Sequence, residues 1–184
     1  MKKIAIFGDS LTAGYDGQNT TDILKRKLAQ KLNQKAEIKL FGLCGDDTKR
    51  ALRRLPTVKN YQADVNLIFF GTNDASASHL VSEELFAENL KVILSQLENY
   101  KLLITPPLVN EEIVSSHRSN KRVESYRSVI LEIAQEQDLL VADFYQALYD
   151  KDQKQYLQAD GIHLTPIAYE LLSKVIIEKI RFYF

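Results

Sequence analysis

Apolar residues fall into five short runs, and the stretches between them repeat with a helical period. Ile4-Ala5-Ile6-Phe7 is the first run. From Ala36 to Phe41, Ile38 and Leu40 alternate with charged neighbours, as on an edge strand with one wet face. Val65 to Phe70 is apolar except for Asn66, which predicts a central strand buried on both faces. Leu102-Leu103-Ile104 closes on Pro106-Pro107, and Leu139-Leu140-Val141-Ala142 is the fifth run. Between them, Ile23, Leu24, Leu28 and Leu32 form a stripe, with Thr20 or Thr21 as its N-cap. Leu52 and Leu55 mark a short helix before Pro56. Phe86, Leu90, Ile93, Leu94 and Leu97 make the strongest stripe, and Val123, Tyr126, Ile130, Ile133 and Ala134 make another. Thr165-Pro166 opens the last helix, a capping residue followed by proline at the first helical position, which continues through Ala168, Leu172, Val175, Ile176 and Lys179.

Strands that alternate with helices of ten residues or more pair in parallel through right-handed crossovers. The expected fold class is therefore α/β, a doubly wound three-layer α/β/α sandwich on a five-stranded parallel sheet. At 184 residues it forms one domain over 1–184, with a core that needs no disulfide or metal staple.

Composition narrows the partners. With 24 basic and 24 acidic residues the formal net charge is zero, which argues against nucleic acid or anionic lipid as a main partner. The single cysteine, Cys44, permits no internal disulfide and suits a reducing compartment. After Met1-Lys2-Lys3 the apolar run is too short for a secretory signal, and no stretch approaches the roughly eighteen apolar residues of a membrane span. The expectation is a cytoplasmic protein, a monomer or a homodimer.

In a doubly wound sheet, ligands bind where the strands end at their carboxyl edge. The first strand runs into Gly8-Asp9-Ser10-Leu11, the second into Gly42-Leu43-Cys44-Gly45-Asp46 and the third into Gly71-Thr72-Asn73-Asp74. Asp160-Gly161-Ile162-His163 stands just before the last helix. Acyl transfer needs a nucleophile on a tight turn, a base within reach, a group that orients the base, and donors aimed at the developing oxyanion. Ser10 can serve as nucleophile, His163 as base and Asp160 as its orienting carboxylate. The Ser10 N–H, the Gly45 N–H and the Asn73 amide can serve as donors, and Gly45 lacks the Cβ that would hold a substrate away.

These four blocks, in this order, resemble the SGNH (GDSL) hydrolase family. The match runs from Ile4 to the final helix. The resemblance implies a flavodoxin-like fold, a Ser10/Asp160/His163 triad, an oxyanion hole from Ser10, Gly45 and Asn73, and no cofactor. Asn73-Asp74-Ala75 and Ile104-Thr105-Pro106-Pro107 further resemble small bacterial lipases/acylhydrolases related to isoamyl acetate-hydrolysing esterases. One position departs: many members carry asparagine four residues before the second-block glycine, where Phe41 stands. The pentapeptide G-x-S-x-G of α/β-hydrolase nucleophile elbows is absent.

Other residues receive lesser expectations. Asp9 and Asp74 would orient loop amides beside the triad. Leu11 and Ile162 flank it, and Tyr15 follows the nucleophile closely enough to touch an acyl group. His79 and His117 lie in predicted loops without a carboxylate at the Asp160 spacing, although His117 could line the substrate mouth. No His, Cys or carboxylate cluster has zinc spacing, so no catalytic metal is expected. Cys44 reads as a small buried hydrophobe. Lys49-Arg50 and Arg53-Arg54 read as a solvated helix face. The loop between Pro107 and Asn120 is the longest near the site and would shape specificity.

Small or short-acyl carboxylic esters are the leading substrates. A carbohydrate O-deacetylase, a thioesterase or a lysophospholipase would use the same triad. Ser10-Leu11-Thr12-Ala13-Gly14 also suggests, as a rival, a non-catalytic flavodoxin-like binder with phosphate at a helix N-terminus. That reading leaves Asn73 and the Asp160/His163 pair without a purpose.

Overall fold

A computed structural model describes residues 1–114 and 116–184. Strands β1 (Lys2–Gly8), β2 (Ala36–Gly42), β3 (Val65–Phe69), β4 (Tyr100–Ile104) and β5 (Leu140–Ala142) pair in parallel, in the order β2-β1-β3-β4-β5. The α/β sandwich and its five parallel strands are as the hydrophobic pattern predicts. Every residue of β3 is buried, whereas β2 alternates buried and exposed positions at the sheet edge.

The chain moves one way from β1 to β2 and the other way from β2 onward. Right-handed crossovers therefore place the intervening helices on opposite faces of the sheet. Helix α1 (Ser10–Ala13) and α2 (Ile23–Lys31) follow β1. Next come α3 (Thr48–Ala51) and α4 (Leu55–Asn60), then α5 (Glu83–Gln96) after β3 and α6 (Asn120–Glu136) after β4. Beyond β5 lie α7 (Phe144–Leu148), α8 (Gln153–Tyr156) and α9 (Pro166–Ile180). Helix α9 returns to pack on α2, while α5 packs on α6. Among the described residues, no helix is long and apolar enough to cross a membrane.

Two local expectations are corrected. The N-cap of α2 is Asp22, whose carboxylate takes a hydrogen bond from Arg26 Nε at 2.6 Å. Thr21 is unavailable for capping because its hydroxyl donates to Gly14 O at 2.8 Å, closing the exit from α1. Pro56 lies inside a helix, near the start of α4, instead of ending one. A proline in the first turn costs nothing, since that N–H has no helical partner.

The strand ends stand in one row. Gly8 is level with Gly42 and Phe69, Phe69 with Ile104, and Ile104 with Ala142. Short α1 lies directly on this edge. A Cβ on Gly42 would come within 2.3 Å of Ala13 N, and one on Gly8 within 2.5 Å of Phe69 O. These glycines let α1 settle against the sheet, which sets the depth at which Ser10 emerges.

Candidate active site

Ser10 begins α1, immediately after β1. Asp9 caps that helix, its Oδ1 accepting from Leu11 N at 2.8 Å, so the Ser10 side chain is left free for other contacts. The Ser10 N–H, in the first turn, has no partner within the helix.

The turn carrying Asp160 and His163 is folded back by a bridge between Leu157 and Leu164. Gln158 ties it down, its side-chain amide donating to Leu164 O at 2.8 Å and to Tyr15 O at 2.9 Å. The second bond links the turn to the chain leaving α1. Asp160 Oδ1 accepts from the Ile162 and His163 amides, both at 2.9 Å. Its other oxygen lies 2.5 Å from His163 Nδ1, and His163 Nε2 lies 3.0 Å from Ser10 Oγ. An ionised carboxylate only accepts, so this line requires the proton on Nδ1 and leaves Nε2 to accept from the serine. Burial works to raise the Asp160 carboxyl, but the bonds from the His163 ring and the two amides outweigh it and hold the group below its usual range. The Tyr15 ring meets the His163 ring edge-on, with centroids 4.7 Å apart.

Opposite this line, the turn from Leu43 to Asp46 is pinned at both ends. Leu43 N donates to Gly8 O, and Asp46 O accepts from Asn73 Nδ2 at 2.9 Å. Gly45 sits in this turn at φ +72°, and nothing lies within 4 Å of the place its Cβ would occupy. A side chain at this position would therefore project into open space rather than into the protein. Asn73 is buried, with Oδ1 accepting from Arg118 Nη2 at 3.1 Å. The arrangement can remove a proton from the Ser10 hydroxyl.

A buried acidic layer lies behind the turn. Burial, with smaller pushes from Asp74 and Asp46, raises the Asp9 carboxyl from its ordinary 3.8 to about 7. Asp74 is likewise raised by burial, to about 6, although Thr48 N and Oγ1 both donate to its Oδ1, at 2.8 and 2.6 Å. As pH climbs above 3.8, an unfolded Asp9 loses its proton while the folded one keeps it until about pH 7. Stability therefore falls across that window. Wild type is expected to lose stability between pH 5 and pH 8, and Asp9→Asn to lose about 2 kcal/mol less over the same interval. Urea unfolding at the two pH values measures the difference. Equal losses in both proteins would show that Asp9 is ionised throughout.

Several residues stand apart from their sequence reading. Cys44 is exposed, not buried, because it sits in the turn next to Gly45. Lys49, Arg50 and Arg53 are exposed, but Arg54 is half-buried and its guanidinium ties three segments together. It donates to Asp46 Oδ2, to Phe41 O at 3.2 Å and to Gly8 O at 3.2 Å, and it stacks over the Phe7 ring. The loop that follows Phe41 is thus supported by an arginine from beyond α3. His79 does have a carboxylate partner, Asp47 Oδ2 at 2.8 Å, brought from a different loop. His117 is exposed in the 107–120 loop, of which Ser115 lies outside the described residues. That loop packs Asn110 and Ile113 against Gly161. Arg118, Gln158 and Arg54 all shape the site, yet each makes at least one contact with a segment distant in sequence and matches no local motif.

A hydroxyl–imidazole–carboxylate line on the carboxyl edge of a 2-1-3-4-5 parallel sheet equips a flavodoxin-like fold for nucleophilic acyl transfer. The comparisons with known proteins agree. The family model of the GDSL-like lipase/acylhydrolase family matches residues 6–171, and the chain belongs to that family. It is 30% identical to the human isoamyl acetate-hydrolyzing esterase 1 homolog, over 92% of this chain and 77% of that protein. It is 28% identical to the GDSL esterase/lipase WDL1 of Oryza sativa subsp. japonica, over 83% of this chain and 67% of that one. The crystal structure of the lipase/acylhydrolase from Enterococcus faecalis superposes with a TM-score of 0.94 at 30% identity, covering 100% of this chain and 97% of that one. The chain is accordingly a carboxylic ester hydrolase.

Proposed function

We propose that residues 1–184 form one catalytic unit that cleaves small or short-acyl carboxylic esters through an acyl-enzyme on Ser10. The observation that carries this reading is the unbroken line from Ser10 Oγ through His163 to Asp160, with contacts of 3.0 and 2.5 Å. His163 Nε2 takes the Ser10 proton as Oγ attacks the ester carbonyl, and Asp160 stabilises the imidazolium that results. The oxyanion is held by the Ser10 and Gly45 N–H groups and by the Asn73 amide, whose Nδ2 otherwise makes only a long contact of 3.5 Å to Asp9 Oδ2 beside its bond to Asp46 O. His163 then protonates the departing alkoxide, leaving an acyl ester on Ser10. Water attacks that ester and gives its proton to His163, which returns it to Ser10 as the carboxylic acid leaves.

Two observations support a short acyl group. Leu43, whose N–H donates to Gly8 O, and Ile113, beside Gly161, stand near the site as separate exposed apolar side chains, at 49% and 51% exposure, which suit a small group better than a long chain. The human relative is named as a homolog of an isoamyl acetate-hydrolyzing esterase, and isoamyl acetate is a short-acyl ester of a small alcohol. The one thiol, Cys44, suits a cytoplasmic setting.

The test is hydrolysis of p-nitrophenyl acetate, butyrate, octanoate and palmitate with a chelator present, together with a fluorophosphonate probe and mass spectrometry. Rates should peak at acetate or butyrate, be unchanged by the chelator, and the probe should add to the peptide carrying Ser10. Equal or faster cleavage of palmitate would overturn the short-acyl reading. A probe adduct elsewhere, with Ser10 unmodified, would overturn the assignment of the nucleophile.

A further inference from the structure

An asparagine serves an oxyanion hole only if its amide faces the right way. The two ends of the group are nearly the same size, so shape alone does not choose between them. In this protein both ends are met by partners that work in one direction only. Asp46 O can only accept, and it takes one proton of Asn73 Nδ2 at 2.9 Å. The Arg118 guanidinium can only donate, and its Nη2 meets Asn73 Oδ1 at 3.1 Å. Its Nη1 donates at 2.6 Å to Thr72 O, the carbonyl of the preceding residue. The planar fork of Arg118 therefore grips two oxygens of the β3 exit loop, Thr72 O and Asn73 Oδ1, while Nδ2 also faces Asp9 Oδ2 at 3.5 Å, a contact long enough to be given up to an oxyanion.

We infer that Arg118 is a positioning residue for ester hydrolysis, holding the Asn73 amide with its N–H toward the oxyanion. A flipped Asn73 would set its NH2 group against a guanidinium that cannot accept and its carbonyl against Asp46 O, which cannot donate. The cation also draws electron density toward Oδ1, which makes the remaining N–H a stronger donor. Lysine is a poor substitute, because a single ammonium cannot span both oxygens with the geometry of the fork. The inference rests on Asn73 serving as an oxyanion donor, as proposed above.

The experiment is a double-mutant cycle on p-nitrophenyl acetate with Arg118→Met, Arg118→Lys and Asn73→Ala. Arg118→Met is expected to lower kcat roughly tenfold or more, the scale of a lost charge-assisted hydrogen bond, with KM within about twofold. Arg118→Lys should fall between it and the wild type. In the Asn73→Ala background neither Arg118 substitution should lower kcat by more than about twofold, because their effect passes through Asn73. The same loss in both backgrounds would overturn the inference, since Arg118 would then act on the substrate or on the fold at large. Wild-type kcat in Arg118→Met would overturn it too. Should Arg118→Met fail to fold, Arg118→Lys carries the same comparison. A neutral Asn73→Ala would remove the oxyanion role and this inference together, whereas a damaging Asn73→Ala with neutral Arg118 variants would remove the inference alone.

Discussion

Ser10→Ala is expected to lower kcat for p-nitrophenyl acetate by roughly four to six orders of magnitude, the scale seen when a triad nucleophile is removed. The size of the loss follows from what Ser10 does and does not do in the fold. Its hydroxyl contacts His163 Nε2 at 3.0 Å, whereas the capping of α1 falls to Asp9. Removing one oxygen therefore deletes the attacking atom and leaves the helix start intact. The thermal midpoint should remain within about 3 °C of wild type, as for a substitution that opens no cavity and orphans no buried group. The imidazole loses its partner but keeps Asp160 at 2.5 Å, so the site should hold its shape. Steady-state kinetics with a melting curve checks both halves of the expectation. More than about one per cent residual kcat would show that another group attacks the ester.

Asn73→Ala is expected to lower kcat by roughly 100- to 1000-fold, the effect of deleting one oxyanion donor, with KM little changed. The loss is smaller than for Ser10 because the proposed mechanism keeps two backbone donors, from Ser10 and Gly45. This variant carries a structural cost as well. Asn73 is 7% exposed, and its removal unpairs Asp46 O and one arm of Arg118. A stability loss of about 1–2 kcal/mol is expected from those two unmet groups. Unfolding measured beside kinetics separates the two effects, since lost stability reduces the folded fraction whereas a lost donor reduces kcat of the folded enzyme. A kcat within a few-fold of wild type would exclude Asn73 from the site.

Much of the architecture was legible in the order of apolar runs. Val65 to Phe69 reads as a central strand because both of its faces are covered, and Ala36 to Phe41 reads as an edge because one face meets water. The start of α9 was legible at Thr165-Pro166, whose threonine accepts from Ala168 N. Thr21 and Pro56 differ from their local pattern for one shared reason. Each has a local role that propensity suggests, but a partner elsewhere decides how it is used. The Thr21 hydroxyl goes to Gly14 O, and Pro56 finds a helix start because Leu55 packs into the core. Cys44 reads as a buried small hydrophobe beside the second-strand loop, whereas the turn from Leu43 to Asp46 leaves it exposed.

For the site, the chain order carried the residues of the Ser10–His163–Asp160 line and the groups proposed as oxyanion donors. Ser10, Gly45, Asn73 and Asp160 with His163 each follow a strand or precede a helix, so the parallel topology brings them to one edge. That follows from local pattern, because the carboxyl ends of parallel strands share a side. The supporting contacts were not legible. Arg118 reaches Asn73 across 45 positions, Gln158 reaches Tyr15 across 143, and Arg54 reaches Gly8 across 46. A long polar side chain has many partners within reach of its own loop, and nothing in its neighbourhood reveals which distant carbonyl it will meet. Pattern and spacing chose the groups that can do the chemistry, since these must sit at strand ends. Packing chose the groups that hold them in place, since only the folded chain decides which donors and acceptors come within 3 Å.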